Sequence, residues 1–148
     1  MSTAVARYVV DADVGVKLVL PEPFSDRSAV LFDLLGGDAP NVLCVPDLFY
    51  AECANVLWKH ARRGRVAIDA ATRGAEILRG LNLTVMGTAE LMRSALDLAL
   101  KHDISAYDAC YFALAEQLGV SLITADKRLV RKLAGASQQI QWLGTWSA

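Results

Sequence analysis

The sequence has few of the residues that many enzyme chemistries require. Its 148 residues hold three cysteines, Cys44, Cys53 and Cys110, and two histidines, His60 and His102. The cysteines form no CxxC pair and lie in apolar segments, which argues against a disulfide framework and suits a reducing cytoplasm. Neither histidine has metal-ligand spacing, so both read as surface or capping residues. A P-loop and a GxGxxG turn are absent, and with them two common phosphate cradles. Excess charge is missing too: fifteen Lys plus Arg stand against sixteen Asp plus Glu, a net charge of -1. No global basic field therefore announces a nucleic-acid partner, and any such contact must be local. The longest uncharged stretch, Leu133 to Ala148, is broken by Gly135, Ser137, Gln138, Gln139 and Gly144, so no membrane span is expected. Met1 to Arg7 lacks a basic n-region, and Asp11 and Asp13 interrupt any apolar h-region, which speaks against a secretory leader. Repeats, low-complexity segments and linkers are also lacking.

What remains is a chain long enough for one sizeable core and too short for two ordinary ones, so 1–148 reads as a single domain. Hydrophobic residues make up 54% and the mean hydropathy is +0.31. Such values point to burial beyond a monomer's own core, at an oligomer or partner interface. Strands are expected at Tyr8 to Asp11, Asn41 to Val45, Asn82 to Met86, Ser121 to Thr124 and Gln139 to Leu143. Between them the 3.6-residue pattern and the Pro, Gly and Ser signals predict helices. These run over Val14 to Leu20, Ser25 to Leu35, Asp47 to about Arg63, Asp69 to Leu81, Thr88 to about His102, Ala106 to Leu118 and Lys127 to Leu133. Alternation of this kind, with strands apolar on both faces, predicts an α/β fold: a mainly parallel sheet of about five strands, flanked by helices on both sides.

Right-handed crossovers put the C-terminal ends of parallel strands on one edge, where ligands of such folds bind. Asp11 ends the first strand, Asp126 follows the fourth, and Glu52 lies on the helix after the second. Asp108 opens the helix that leads into the fourth strand, so its arrival at that edge depends on how the helix packs. Each acid also has a plain structural reading. Asp126 fits a helix cap, and Ser105-Ala-Tyr-Asp108 fits a capping box. Asp11 is harder to explain away, because a carboxylate ending an apolar central strand is desolvated unless it meets water, a partner or a metal. Glu52 shares its helix face with Phe49 and Val56, and Asp108 shares a stripe with Ile104, Tyr111, Phe112 and Ala115. Acids gathered on apolar faces invite a hard divalent cation such as Mg2+ or Mn2+, which takes oxygen ligands and keeps water. One or two such ions, activating water, suit hydrolysis of a phosphodiester.

Four segments together resemble the PIN-domain family, and within it the small VapC-type toxins of toxin-antitoxin pairs. They are Val9-Val-Asp-Ala-Asp-Val14, Tyr50-Ala-Glu-Cys-Ala-Asn-Val-Leu57, Ile104-Ser-Ala-Tyr-Asp-Ala-Cys-Tyr-Phe-Ala-Leu-Ala-Glu116 and Leu122-Ile-Thr-Ala-Asp-Lys-Arg-Leu129. The resemblance covers nearly the whole chain and implies a PIN-like fold. It maps the family's acidic positions onto Asp11, Glu52, Asp108 and Asp126, with Thr124 at the accompanying hydroxyl position. By the same resemblance these acids bind Mg2+ or Mn2+ and cut RNA, and the partners are a small antitoxin protein and a second copy of the chain.

Asp13 departs from the family, which commonly has Ser or Thr there. A helix N-cap, a role Asp also serves well, is the expectation, with a further ligand as the alternative. Eight of the fifteen basic residues fall in Lys59-His-Ala-Arg-Arg-Gly-Arg65 and Lys127-Arg-Leu-Val-Arg-Lys132. Both segments fit cationic helix ends. The second directly follows Asp126, which makes Lys127, Arg128 and Arg131 the candidates for holding phosphate. Trp58, Trp142 and Trp146 read as core or interface rather than stacking platforms. Alternatives to a toxin ribonuclease are a PIN-like RNA-processing nuclease, a catalytically inactive interaction module and a response-regulator-like phosphoacceptor. Against the last, no strand-end acceptor Asp is followed by a strand-end Lys.

Overall fold

The uncharged runs become five short parallel strands in the computed structural model, which describes residues 7–40 and 42–148. They are β1 (Tyr8–Val10), β2 (Leu43–Pro46), β3 (Thr84–Met86), β4 (Ser121–Thr124) and β5 (Ile140–Trp142), in the spatial order β3-β2-β1-β4-β5. The residues read for a leader before Arg7, and Asn41 at the start of the second expected strand, lie outside the described residues. Among the described residues seven α-helices connect the strands: α1 (Ala12–Val16), α2 (Ser25–Phe32), α3 (Leu48–Arg62), α4 (Ile68–Arg79), α5 (Thr88–His102), α6 (Ala106–Leu118) and α7 (Lys127–Ala134). None of them is long and apolar enough to cross a membrane.

The strand order dictates where the helices go. From β1 the chain steps outward to β2 and β3 through α1 to α4, then returns across the sheet to β4 and steps the other way to β5. Right-handed crossovers running in opposite directions put α1 to α4 on one face and α5 to α7 on the other. The direction reverses between the neighbouring strands β1 and β4, so the crevice of this α/β sheet opens beyond their C-terminal ends. Val10 pairs with Ile123 there, and the N–H of Asp11 donates to the Ile123 carbonyl at 3.0 Å.

The middle strands are covered on both faces: Val9, Val10, Leu43, Val45, Leu122 and Ile123 are fully buried. Helix α6 is buried around its whole circumference from Ala109 to Ala115, with β1, β2 and β4 beneath it and α5 over it. Its alanines allow both layers to come close, which anchors its first turn, and hence Asp108, at the sheet's centre. A second close approach joins α1 to α3, because a Cβ added at Gly15 would lie 2.5 Å from the ring of Phe49.

Several boundaries differ from the sequence expectation, and each has a local cause. Helix α1 starts at Ala12 and ends at Val16 instead of spanning Val14 to Leu20, because the Asp11 side chain accepts from the Ala12 N–H and starts the helix early. Helix α2 ends at Phe32, where a 3₁₀ turn over Asp33–Gly36 tightens the approach to Gly36-Gly37. Helix α4 is shifted to Ile68–Arg79 and β3 begins at Thr84, two residues after the expected Asn82. All three cysteines are buried, and His60 is held by the Val56 carbonyl at 3.0 Å. Trp146 is in the core and Trp142 is half-buried, whereas Trp58 is exposed on this chain, which removes the core half of its reading as a core or interface residue.

Candidate active site

Four separate elements deliver carboxylates to the crevice beyond β1 and β4. Asp11, at the end of β1, is 6% exposed and accepts through Oδ1 from the Ala12 N–H at 2.8 Å. Its Oδ2 accepts from the Thr124 hydroxyl at 2.9 Å. Thr124 is fully buried at the end of β4, and the same hydroxyl also donates toward Asp13 Oδ2 at 3.2 Å, a three-centre arrangement of one proton. The N–H of Asp126 donates back to Thr124 Oγ1 at 3.1 Å. One threonine thus ties together the ends of β1 and β4 and three acidic residues.

Asp13 corrects the sequence reading. The N-cap of α1 is Asp11, and Asp13 sits in the first turn with its carboxylate turned across to β4, accepting from the Ala125 N–H at 3.2 Å. Asp126 does cap its helix, accepting from the N–H groups of Arg128 at 2.9 Å and Leu129 at 3.3 Å. In Ser105-Ala-Tyr-Asp108 the Ser105 hydroxyl accepts from the Asp108 N–H at 3.0 Å, as in a capping box. Asp108 and Asp126 line one cleft of about 160 Å³, with Ser105, Arg128 and Lys132.

Glu52 reaches the same region from α3. Its Oε1 accepts from the hydroxyl of Tyr111 at 2.6 Å. Tyr111 is fully buried one helical turn beyond Asp108 on α6, so a single helix supplies one acid and the group that orients another. Tyr111 was named in the sequence only as part of an apolar stripe. The signal that marks it is its position three residues after Asp108, on the same helix face.

Of the three phosphate candidates the structure brings one to the acids. Arg128 lines the cleft beside Asp108 and Asp126, and its charge opposes the rise in the Asp108 pKa. Lys127 lies over the ring of Trp142, 4.4 Å from its centre, and Arg131 is exposed outside the cleft. Lys132, not singled out from the sequence, lines the cleft, with its ammonium 2.6 Å from the Asp103 carbonyl and 3.7 Å from the Asp103 carboxylate.

The electrostatics of the cluster follow from burial. Desolvation drives the Asp11 pKa well above the usual carboxylate range, and the charges of Asp13, Asp108 and Glu52 push it the same way against the Thr124 hydrogen bond. Burial raises Asp13 to about 6, its two hydrogen bonds opposing. Glu52 and Asp108 are also raised, again by burial first. The acids feel one another across element boundaries, yet loss of water is the larger cause throughout.

The donor set suits a hard cation: it is built of carboxylate oxygens, with the buried thiols held protonated, Cys53 above all. Among the described residues no three His, Cys, Asp or Glu side chains converge into a ready-made metal cage. Mg2+ does not require one, since it keeps several waters and is bound by one or two carboxylates. The pairs Asp11 with Asp13, and Asp108 with Asp126, meet that requirement.

A five-stranded parallel sheet with acids gathered at its reversal point defines the class, and the comparisons agree with it. The chain belongs to the PIN-domain family, matching the PIN domain over residues 8–135. Within that family its relatives include VapC ribonucleases. It is 39% identical over 128 residues to Ribonuclease VapC3 of Pyrobaculum aerophilum, covering 85% of this chain and 94% of that one. The crystal structure of PAE2754 from Pyrobaculum aerophilum superposes with a TM-score of 0.70 at 26% identity, over 95% of this chain and 93% of that one. A toxin-antitoxin complex from Klebsiella pneumoniae shares the fold with a TM-score of 0.59 at 14% identity, over 90% and 95% of the two chains.

The link between Tyr111 and Glu52 carries a testable consequence. Tyr111→Phe keeps the packing and removes the hydroxyl that holds Glu52, so cleavage activity should fall about 10- to 100-fold, the usual cost of losing a group that orients a ligand. The melting temperature should move by only a few degrees. Steady-state rates and a thermal melt check both, and an unchanged rate would leave Tyr111 a packing residue.

Proposed function

We propose that this chain is a divalent-metal-dependent endoribonuclease, the toxin of a toxin-antitoxin pair. The observation that carries the reading is the convergence of Asp11, Glu52, Asp108 and Asp126, from four elements, on the crevice where β1 and β4 part. Its VapC ribonuclease relatives support the choice of RNA as substrate.

In this reading the pairs Asp11 with Asp13 and Asp108 with Asp126 would hold Mg2+ or Mn2+, with Glu52 beside them. When bound, the ion would supply Lewis acidity and a water of lowered pKa for hydrolysis of the phosphodiester. The chain's own residues prepare the site. Thr124 locks Asp11 and Asp13 in place, and Tyr111 fixes Glu52. Arg128, which lines the same cleft as Asp108 and Asp126, would hold a phosphate there and offset the negative charge. Asp13 is an additional carboxylate of the site, which strengthens its attraction for a dication and raises the charge that an incoming phosphate meets.

The partners follow the same reading. A small antitoxin covers the toxin's working face, and the apolar groove of about 380 Å³ between α3 and α4, lined by Tyr50, Cys53, Leu57 and Leu78, suits an apolar segment of it. A homodimer accords with the exposed Met92, Leu96 and Leu100, which recur every four residues along α5. Light scattering is expected to give twice the 16.0 kDa chain mass, and 16.0 kDa at every concentration would remove the dimer.

Expression in a host cell tests the function itself. Wild-type chain should arrest growth, a small protein encoded in the adjacent reading frame should relieve the arrest, and Asp108→Asn should be harmless at equal expression. Arrest by Asp108→Asn equal to that of wild type would sink the assignment of the site.

A further inference from the structure

The first basic segment, Lys59 to Arg65, does not line the acidic cleft, and an exposed tryptophan precedes it. Trp58, near the end of α3, is 53% exposed, with the Arg62 guanidinium 5.2 Å from its ring centre. Trp58, Lys59, Arg62 and Arg63 together wall a surface recess of about 430 Å³. Gly64 follows with φ +71 and turns the chain, so Arg65 stays beside the cluster. Among the described residues, no carboxylate forms an ion pair with Lys59, Arg62, Arg63 or Arg65.

A chain of net charge -1 that leaves four neighbouring cations unpaired around an exposed indole carries an unusual local field. Solvated helix-end cations explain the charge but not the indole, whose exposure costs hydrophobic free energy. The helix geometry adds a direction. Lys59 and Arg63 follow Glu52 by seven and eleven residues, which returns both to the Glu52 face of α3. They stand about 10 and about 16 Å farther along the helix axis.

We propose that the Trp58–Lys59–Arg62–Arg63 surface is a second contact for single-stranded RNA, gripping the strand beyond the nucleotides at the acidic site. This rests on the ribonuclease reading above and extends it from the cutting site to the track of the substrate. One face of the Trp58 ring takes a base, and Arg62 braces the ring, since base stacking on an aromatic tolerates any sequence. Lys59 and Arg63 neutralise backbone phosphates, positioning the strand without specifying it. An acidic protein segment would use the cations and leave the indole idle, which is why nucleic acid is the better fit.

The test measures binding and cutting separately. A fluorescein-labelled 12-nucleotide RNA of mixed sequence is titrated with whole protein in EDTA, by anisotropy, across a range of salt. Trp58→Ala should weaken binding by about tenfold, and Trp58→Phe, which keeps a ring, should restore most of it. The triple variant Lys59→Ala, Arg62→Ala, Arg63→Ala should flatten the slope of log affinity against log salt by about 1.4, at roughly 0.7 for each of the two phosphate contacts made by Lys59 and Arg63. All these side chains are exposed, so melting temperatures should stay near wild type. Unchanged affinity and slope in both Trp58→Ala and the triple variant would overturn the proposal. So would loss of binding to poly-L-glutamate with RNA binding intact, which would assign the surface to an acidic protein. If wild type cuts RNA with metal yet binds none of the 12-mer in EDTA, the proposal fails while the ribonuclease reading stands. If wild type neither binds nor cuts, both fall.

Discussion

Asp11→Asn should lower metal-dependent RNA cleavage by about 10³-fold while leaving the protein folded. The carboxylate is the most buried acid of the cluster and lies at the centre of its electrostatic couplings, with Asp13, Asp108 and Glu52 all acting on it. In the proposed metal-dependent reaction, removing its charge would withdraw one ligand from the ion. Losing about 4 kcal/mol of transition-state charge stabilisation, a reasonable share of what a bound metal supplies, is about a thousandfold in rate. The fold should persist because asparagine caps a helix about as well as aspartate and its amide oxygen can still accept from Ala12 or Thr124. Asp11→Ala makes the informative contrast, since it discards the cap and leaves the buried Thr124 hydroxyl with Asp13 alone as its acceptor, a cost of roughly 0.5 to 2 kcal/mol for the lost cap. Single-turnover cleavage and thermal melts of both variants read the two effects separately. An Asp11→Asn enzyme within tenfold of wild type would remove Asp11 from the reaction.

The second large effect concerns stability, pH and metal. Folded-state carboxylates with raised pKa bind protons more tightly than the unfolded chain does. Their stabilising contribution is complete below the unfolded value near ~4 and is lost as pH rises through the folded values. For Asp13 that window runs from 3.8 to about 6, and the Asp11, Glu52 and Asp108 pKa values are displaced in the same direction. Asp13 alone corresponds to about 3 kcal/mol at about 1.4 kcal/mol per pH unit. In a chain of this size that is a drop in melting temperature on the order of 5–10 °C between pH 4 and pH 7 in EDTA, before other groups add to it. Millimolar Mg2+ should recover much of the loss at pH 7, because it binds the folded state and offsets the charges that burial disfavours. Asp108→Asn should melt no lower than wild type in EDTA and respond less to Mg2+. A melting temperature that rises over this pH range without metal would mean that the acids are ordinary solvated caps.

How much of this was readable before the structure depends on how local each feature is. Helix α6 and strand β4 have the ends expected from the sequence, because Ser105 and Gly119 mark one and Gly119 and Asp126 bracket the other. The parallel sheet was legible for the same reason, through runs apolar on both faces. Which strands adjoin is set by long-range pairing. The β1–β4 neighbourhood that brings Thr124 to Asp11 therefore had no local signal, and the motif resemblance stood in for it. Both Asp11 and Asp13 suit a helix cap in the sequence, and the hydrogen bonds from the Thr124 hydroxyl and the Ala125 N–H reveal that Asp13 faces the site. Lys127 and Arg128 are adjacent, so consecutive helical positions sent one onto Trp142 and the other into the cleft. Lys132 reaches the cleft from one turn beyond Arg128, a relation visible only once α7 is placed beside Asp103.

A metal held by these acids is the centre of the proposed chemistry, and its role can be measured directly. Protein stripped with EDTA is mixed with a mixed-sequence RNA, and cleavage is followed before and after excess Mg2+ or Mn2+ is added. The expected result is no cleavage above buffer in EDTA and full activity on adding either ion, with Asp11→Asn silent in both conditions. Cleavage by the stripped protein equal to that of the metal-loaded protein would contradict the account.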